Sequence, residues 1–218
     1  MTVRDAVIFD MDGLLLETEK IALKTFRATC SLFDIRFNQT LYDTCLGRNL
    51  QDTEGILTRN IPAFPGSAFM TAWKDAYHEE AVVKPVPLKP GVRRLLSHLQ
   101  DSGIPCAVAT SSGQRVALRK LDNAGIIDQF RFVVSGDQVT RSKPDPEIYL
   151  TAARRIGTAP EHCLALEDSD NGVRAAHAAN MLVFQIPDLV APSADVRQLG
   201  HQVLPSLIQV YSLFKNPA

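Results

Sequence analysis

The stretch Ala6–Glu19 reads AVIFDMDGLLLETE. Its first four residues are apolar and have the composition of a buried β-strand, and they lead directly into Asp10 and Asp12. Two carboxylates one residue apart repel each other, so their position at the end of a strand needs a physical reason. That reason depends on which other side chains the fold brings to the same place.

Outside residues 17–84, the chain alternates apolar runs with segments of helical spacing, joined by short connections. Strands are predicted at 5–10, 104–110, 130–135, 163–167 and 182–187, and helices at 92–102, 114–124, 146–156 and 172–179. Strands that are apolar almost throughout are typical of a parallel sheet buried on both faces. The sequence therefore predicts an α/β fold, with a Rossmann-like parallel sheet sandwiched by helices.

Residues 17–84 interrupt this alternation between the first strand and the first helix of the core. Their apolar residues follow helical spacing, and they contain no convincing strand. We therefore predict an inserted α-helical cap domain, entered and left through hinges at 14–17 and 84–89. The predicted division is 1–16 (core, with the first strand), 17–84 (helical cap) and 85–218 (core).

Polar side chains follow four of the predicted strands, and the carboxyl ends of parallel strands border one crevice. These side chains are Asp10 and Asp12, then Thr110, Ser111 and Ser112, then Ser142 and Lys143, then Glu167 and Asp168. Four carboxylates with a single lysine are unstable together unless a divalent cation joins them. Oxygen ligands of this kind favour Mg²⁺, which also binds substrate phosphate.

Each of these assignments has a simpler structural alternative. Asp10 and Asp12 could cap a turn, but this explanation leaves the other strand ends unexplained. Lys143 could be a solvated loop residue. Thr110 and Ser111 could form the N-terminal cap of the next helix, a role compatible with binding an anion there. Glu167 and Asp168 could cap the helix near residue 171, where Asp170 is the better-placed cap.

Composition excludes several classes of function. The 218 residues include 23 basic and 24 acidic side chains, a formal net charge of −1, with no long run of either sign. This balance argues against a nucleic-acid or anionic-membrane surface. No apolar run reaches the length of a bilayer span, and the N-terminus lacks the pattern of a secretion signal. We expect a cytoplasmic monomer that binds neither nucleic acid nor membrane.

Four segments, IFDMDGLLLETE, VATSSG, SKPDPEIY and LALEDSDNGVRAA, resemble the four ordered motifs of the haloacid dehalogenase (HAD) superfamily. The chain is similar to the phosphatases of this superfamily that carry a helical cap after the first strand. That group includes phosphoglycolate, sugar-phosphate and pseudouridine-5′-phosphate phosphatases, and β-phosphoglucomutase. The resemblance covers the whole predicted core, and the position of the cap agrees with it.

The resemblance implies a role for each matching residue. Asp10 would be the nucleophile that forms an aspartyl-phosphate, and Asp12 the general acid and base. The metal ligands implied are Asp10, Asp12 (through its main-chain carbonyl), Glu167 (directly or through water) and Asp168. The residues implied to hold the phosphoryl oxygens are Thr110, Ser111 and Lys143.

The cap is less informative about the substrate. LGRN at 46–49 predicts a polar turn, and the family often uses this loop to touch the substrate, so Arg48 and Asn49 are candidates. An ordinary surface position explains Arg48 equally well. Trp73 and Tyr77 could face a substrate, but aromatic residues on such a helix are more often part of the cap core.

The predicted function is a Mg²⁺-dependent phosphomonoester hydrolase acting on a small phosphorylated metabolite, a sugar phosphate or nucleotide-like compound. A sugar phosphomutase is the nearest alternative, but Ala22 and Leu50 replace the histidine and the arginine of β-phosphoglucomutase. A HAD-fold binding module without turnover has no need of an acid/base at Asp12. Dehalogenation is disfavoured for the same reason, since no alkoxide then needs a proton.

Overall fold

Residues 4–46 and 50–215, which the computed structural model describes, contain a six-stranded sheet in which all neighbouring strands are parallel. Its strands are β1 (Ala6–Phe9), β2 (Cys106–Thr110), β3 (Val133–Ser135), β4 (Cys163–Glu167), β5 (Leu182–Gln185) and β6 (Gln202–Val203). The strand order is β3-β2-β1-β4-β5-β6, which places β1 at the centre, between β2 and β4. The predicted α/β class with a parallel sheet is therefore confirmed.

Helices cover both faces of this sheet, because successive side chains of a strand point to opposite sides. Val7 and Phe9 pack in a hydrophobic cluster with residues of the helices on one side, whereas Ala6 and Ile8 pack in a second cluster on the other. The helices that follow the helical insertion are α5 (Val92–Asp101), α6 (Gln114–Asn123), α7 (Glu147–Ile156), α8 (Asp170–Ala178), α9 (Ala194–Arg197) and α10 (Leu207–Lys215). Burial on both faces explains why β1 is apolar throughout.

Between β1 and α5 the chain forms α1 (Thr18–Leu32), α2 (Gln39–Asp43), α3 (Leu50–Asn60), α4 (Ser67–His78) and a π-helical turn (Glu79–Val83). We call residues 18–83 the helical segment. It has its own hydrophobic cluster, in which the Phe26 ring packs against Phe37, Tyr42, Phe69 and Trp73. Trp73 thus belongs to the interior of the segment. The exact domain boundaries stay a prediction.

The two connections to the helical segment run side by side. The backbone N–H of Glu17 donates to Pro87 O at 3.0 Å, and that of Lys89 donates to Leu15 O at 3.0 Å. Lys89 also forms an ion pair with Asp188, in the loop after β5, at 2.5 Å. The chain therefore enters and leaves the helical segment at neighbouring backbone positions. In residues 4–46 and 50–215, no helix is long and apolar enough to cross a membrane.

The Phe26 cluster yields a stability prediction. Phe26 is 2% exposed, and Phe26→Ala should lower the free energy of unfolding by about 3–5 kcal/mol, because it removes a large ring and leaves a cavity. Leu32→Ala, at a 72% exposed position of the same helix, should change it by less than about 0.5 kcal/mol. Denaturant unfolding of both variants measures the difference, and equal effects would contradict this account of the segment's interior.

Candidate active site

Lys143 connects three neighbouring strands at their carboxyl ends. Its Nζ donates to Asp10 Oδ1 at 2.5 Å, to Glu167 Oε1 at 2.6 Å and to the main-chain oxygen of Ala109 at 3.0 Å. An ammonium group has three protons, so these acceptors use all of them. Lys143 therefore has one fixed position beside the first aspartate of the opening motif, at the end of a loop whose Lys143–Pro144 peptide bond is cis.

Glu167 is fully buried, and both of its carboxylate oxygens accept several hydrogen bonds. Oε1 accepts from Lys143 and from the Tyr149 hydroxyl, at 3.0 Å, while Oε2 accepts from Asp168 N, Ser169 N and Ser169 Oγ. Burial alone would raise the pKa of Glu167, but the charge and hydrogen bond of Lys143, together with Ser169, lower it. A carboxylate so occupied is suited to orient Lys143 and Asp168, and has little capacity left for a direct metal bond.

Asp10, Glu167 and Asp168 offer oxygen atoms that all lie within 4.8 Å of one another. Burial raises the pKa of Asp10 to about 8, against the opposing charge of Lys143. Burial and the charges of Glu167, Asp10 and Glu19 raise the pKa of Asp168 well above its usual value. Burial is the main cause of both shifts, and the oxygen donors of the cluster suit a hard divalent cation.

Asp12 is held by a different lysine. Lys120 Nζ donates to Asp12 Oδ1 at 2.7 Å, and Ser112 Oγ donates to Oδ2 at 2.8 Å. Burial would raise the pKa of Asp12, but the Lys120 charge and the hydrogen bonds of Lys120, Ser112 and Thr18 lower it below its usual value. The two aspartates of the opening motif therefore have separate cationic partners and opposite pKa shifts.

A model of the haloacid dehalogenase-like hydrolase family matches residues 7–186. The match runs from β1 to the end of β5 and includes each of the site residues just described. The chain belongs to the haloacid dehalogenase-like hydrolase family. The predicted family is therefore confirmed.

Three known proteins illustrate what this chain is similar to. The phosphorylated carbohydrates phosphatase of Thermotoga maritima is 34% identical over 180 residues, covering 81% of this chain and 82% of that protein. The β-phosphoglucomutase of Bacillus subtilis is 28% identical over 226 residues, covering 96% of each. A crystal structure of a HAD family hydrolase from Deinococcus radiodurans, with bound phosphate and sodium, has 25% identity and a TM-score of 0.82, covering 96% of this chain and 94% of that one. These matches place the chain among HAD-family proteins that are named as phosphatases and as a phosphomutase.

One simpler alternative for Thr110 and Ser111 was that they cap the N-terminus of α6. The N-cap residue of α6 is Gly113, and the Thr110 hydroxyl accepts from Ser112 N at 3.1 Å, so neither Thr110 nor Ser111 caps this helix. Instead, the Asp137 carboxylate from the loop after β3 accepts from Gln114 N, at 3.0 and 3.1 Å. Thr110 is the last residue of β2, next to Ala109, whose main-chain oxygen accepts from Lys143, and Ser111 follows it.

The sequence favoured Asp170 as the N-terminal cap of α8, and this prediction was wrong by one residue. Ser169 is the N-cap, since its hydroxyl accepts from Gly172 N at 3.2 Å. Asp170 is the first residue of the helix, and its carboxylate accepts from Ser193 N. Ser169 therefore serves both the helix and Glu167. Arg48 and Asn49, the candidates for substrate contact, lie outside the described residues.

Lys120 is the site residue that sequence reasoning missed. It lies on α6, not in a loop at the end of a strand, so the strand-end argument does not reach it. A signal was present, because Lys120 occupies a helical face with Ala117, Leu121 and Ala124, all of which are buried. A lysine on an apolar helix face needs an acidic partner inside the protein.

Gly172 provides a test of how Glu167 is held. A Cβ added at Gly172 would overlap the Glu167 carboxylate, so Gly172→Ala should displace Glu167 and, with it, Lys143. We expect phosphatase activity to fall by more than about tenfold, equal to about 1.4 kcal/mol, and the thermal midpoint to fall. In the matched control Gly55→Ala, also within a helix, the nearest atom would be 3.4 Å away. That variant should keep full activity, and an equally active Gly172→Ala enzyme would contradict this packing.

Proposed function

We propose that this chain is a Mg²⁺-dependent phosphomonoester hydrolase that acts on a small phosphorylated metabolite, a sugar phosphate or nucleotide-like compound, through an aspartyl-phosphate at Asp10. One observation carries the proposal. Asp10 directly follows the central strand, and Lys143 holds its carboxylate at 2.5 Å, within an oxygen cluster that it shares with Glu167 and Asp168. A fixed carboxylate beside concentrated cationic and metal-binding groups suits attack on phosphorus.

In the first half-reaction, an Asp10 oxygen forms a bond to phosphorus while the bond from phosphorus to the alcohol oxygen breaks. The departing oxygen takes a proton from Asp12. In the second, water attacks phosphorus, Asp12 takes a proton from that water, and the bond from Asp10 oxygen to phosphorus breaks. Inorganic phosphate and the Asp10 carboxylate result, so one water is consumed in each cycle.

Asp12 must carry a proton in one half-reaction and accept one in the other. Lys120 and Ser112 favour its ionised form, which suits the base role. A phosphate dianion bound beside Asp12 raises its affinity for a proton, because like charges disfavour ionisation. The acid role of Asp12 therefore depends on the bound substrate.

Asp10 and Asp168 are the side chains proposed to hold Mg²⁺, with the main-chain carbonyl of Asp12, while Glu167 orients Asp168 and Lys143. The ion would neutralise charge on the phosphoryl oxygens. Thr110, the last residue of β2, and Ser111, which follows it, are proposed to donate to those oxygens. Lys143 is also proposed to donate to a phosphoryl oxygen, in place of one of its present hydrogen bonds. The bond to Asp10 is the one expected to be replaced, because the charge of Asp10 passes to the phosphoryl group.

The substrate class is proposed from the relatives. One of them is named as a phosphatase of phosphorylated carbohydrates and covers four-fifths of the chain. A phosphomutase is the second candidate, since β-phosphoglucomutase of Bacillus subtilis matches almost the whole chain. Hydrolysis is favoured because Ala22 and Leu50 supply no cationic or imidazole group to retain a bisphosphate.

Phosphate release over a panel of sugar phosphates, nucleotides and phosphorylated organic acids tests this function. We expect release from several members with Mg²⁺, none with chelator, and a loss of essentially all turnover in Asp10→Asn, which keeps the shape of the side chain. Circular dichroism checks that this variant is folded. Absence of release from folded, Mg²⁺-loaded protein would overturn hydrolysis, and an isomerised product without free phosphate would establish the mutase.

Metal affinity separates the proposed roles of Asp168 and Asp12. Asp168→Asn removes a charged ligand and should weaken Mg²⁺ binding by more than about tenfold. Asp12→Asn leaves the main-chain carbonyl in place and should change Mg²⁺ binding by less than about threefold, yet abolish most turnover. Calorimetric titration with Mg²⁺ measures both affinities, and equal losses would contradict the division of roles.

A further inference from the structure

Lys120 is a buried cation that the proposed reaction does not itself use. It lies on the last turn of α6, and its side chain is 1% exposed. Among the described residues, its Nζ donates to Asp12 Oδ1 at 2.7 Å and to the Tyr77 hydroxyl at 2.9 Å. The same Nζ lies 5.1 Å from the centre of the Tyr77 ring.

Stability alone is a poor explanation for this lysine. Burial disfavours an ammonium group, but the charge of Asp12 and the hydrogen bonds to Asp12 and Tyr77 raise the pKa of Lys120. Lys120 is therefore protonated. A buried ion pair repays its desolvation poorly, and an apolar side chain of similar length often packs as stably in its place. The function of Asp12 is therefore a better explanation for the presence of Lys120.

We propose that Lys120 is a positioning residue that holds the Asp12 carboxylate in place for proton transfer to the leaving-group oxygen. The inference rests on the proposed function, in which Asp12 protonates that oxygen. Lys120 contacts Asp12 and not the reacting atoms, so its effect passes through the carboxylate.

Two donors on opposite oxygens fix the orientation of the carboxylate. Lys120 holds Oδ1 and Ser112 holds Oδ2, at 2.7 and 2.8 Å. The Asp12 side chain is 24% exposed, so one edge of it faces the crevice while Lys120 lies behind it. Proton transfer requires hydrogen-bond distance to the accepting oxygen, so a freely rotating Asp12 would be in place for less of the time.

Tyr77 extends this arrangement to the helical segment. Tyr77 is on α4, and Asn123, one turn beyond Lys120 on α6, donates to the main-chain oxygens of Val82 and Val83 at 2.9 and 3.2 Å. Helix α6 therefore contacts the end of the helical segment and Asp12 at once. The position of Asp12 is thus tied through Lys120 to the helical segment.

Leaving-group dependence tests the inference in the Mg²⁺-loaded enzyme. p-Nitrophenyl phosphate releases a stable phenolate and needs little help from an acid, whereas an alkyl phosphate needs a proton on its leaving oxygen. Lys120→Met should lower kcat/KM on the order of 100-fold for the fastest alkyl phosphate of the panel, and less than about tenfold for p-nitrophenyl phosphate. KM should change little, because the phosphate ligands stay in place.

Three variants serve as comparisons. Arg119→Met removes the neighbouring, exposed cation of the same helix and should leave both substrates unaffected. Asp12→Asn should show the same substrate preference as Lys120→Met, and more strongly. The double variant should be no worse than Asp12→Asn, since residues that act through one group are not additive.

The outcomes are distinguishable. A larger loss on the alkyl phosphate, absent when Asp12 is already replaced, supports the positioning role. Equal losses on both substrates, or no loss while Asp12→Asn is impaired, would overturn it and leave the proposed function intact. An unimpaired Asp12→Asn enzyme would overturn the acid role itself. Should thermal melting show Lys120→Met unfolded, Ser112→Ala decides, because it frees the other oxygen without removing a buried charge, and the same substrate preference is expected.

Discussion

Lys143 lies between two buried carboxylates, and the arrangement of the crevice depends on this cluster of charges. Its ammonium group joins Asp10 at the end of β1 and Glu167 at the end of β4, while the carbonyl of Ala109 in β2 accepts its third proton. Loss of Lys143 would leave the buried carboxylates of Asp10 and Glu167 without this cation, which costs several kcal/mol. Lys143 therefore fixes the Asp10 carboxylate relative to the ends of the two neighbouring strands, β2 and β4.

The two aspartates of the opening motif are separated by one residue, yet their surroundings differ. Burial, opposed by Lys143, raises the pKa of Asp10, whereas Lys120 and Ser112 overcome burial and lower that of Asp12. Separate partners let neighbouring carboxylates take different roles, because each responds to its own environment. Glu167 at the end of β4 and Asp168 after it bring further carboxylate oxygens within 4.8 Å of Asp10, and it is there that a divalent cation could be bound.

The strand positions were predictable because burial on both faces demands an apolar run, as in β1 and β4. The short β6 carries no such signal, since Gln202 and Val203 are exposed and pair with β5 only through the backbone. Most of the site was predictable because a parallel sheet gathers its strand ends at one edge. Lys120 was not, because it reaches the site from the side of a helix, where only three-dimensional packing brings it to Asp12.

The choice between Ser169 and Asp170 as the cap of α8 shows a further limit of prediction from sequence. Both residue types cap helices well, and the decision depends on where the turn after Glu167 ends. That turn is set by the hydrogen bonds that Glu167 accepts from the backbone of Asp168 and Ser169. The capping preferences of single residues could not reveal these hydrogen bonds, because the bonds follow from the burial of the Glu167 carboxylate, which Lys143 holds.

The side-by-side course of the connections at Glu17 and Lys89 has an evolutionary consequence. Because the helical segment begins and ends at adjacent backbone positions, a segment of another length or sequence can be accommodated without moving β1 or the helix that follows the insertion. Changes in substrate preference can then accumulate in one contiguous part of the gene, while the charged crevice is inherited unchanged. Contacts such as that of Tyr77 with Lys120 set the limit, since any replacement segment must still meet α6 correctly.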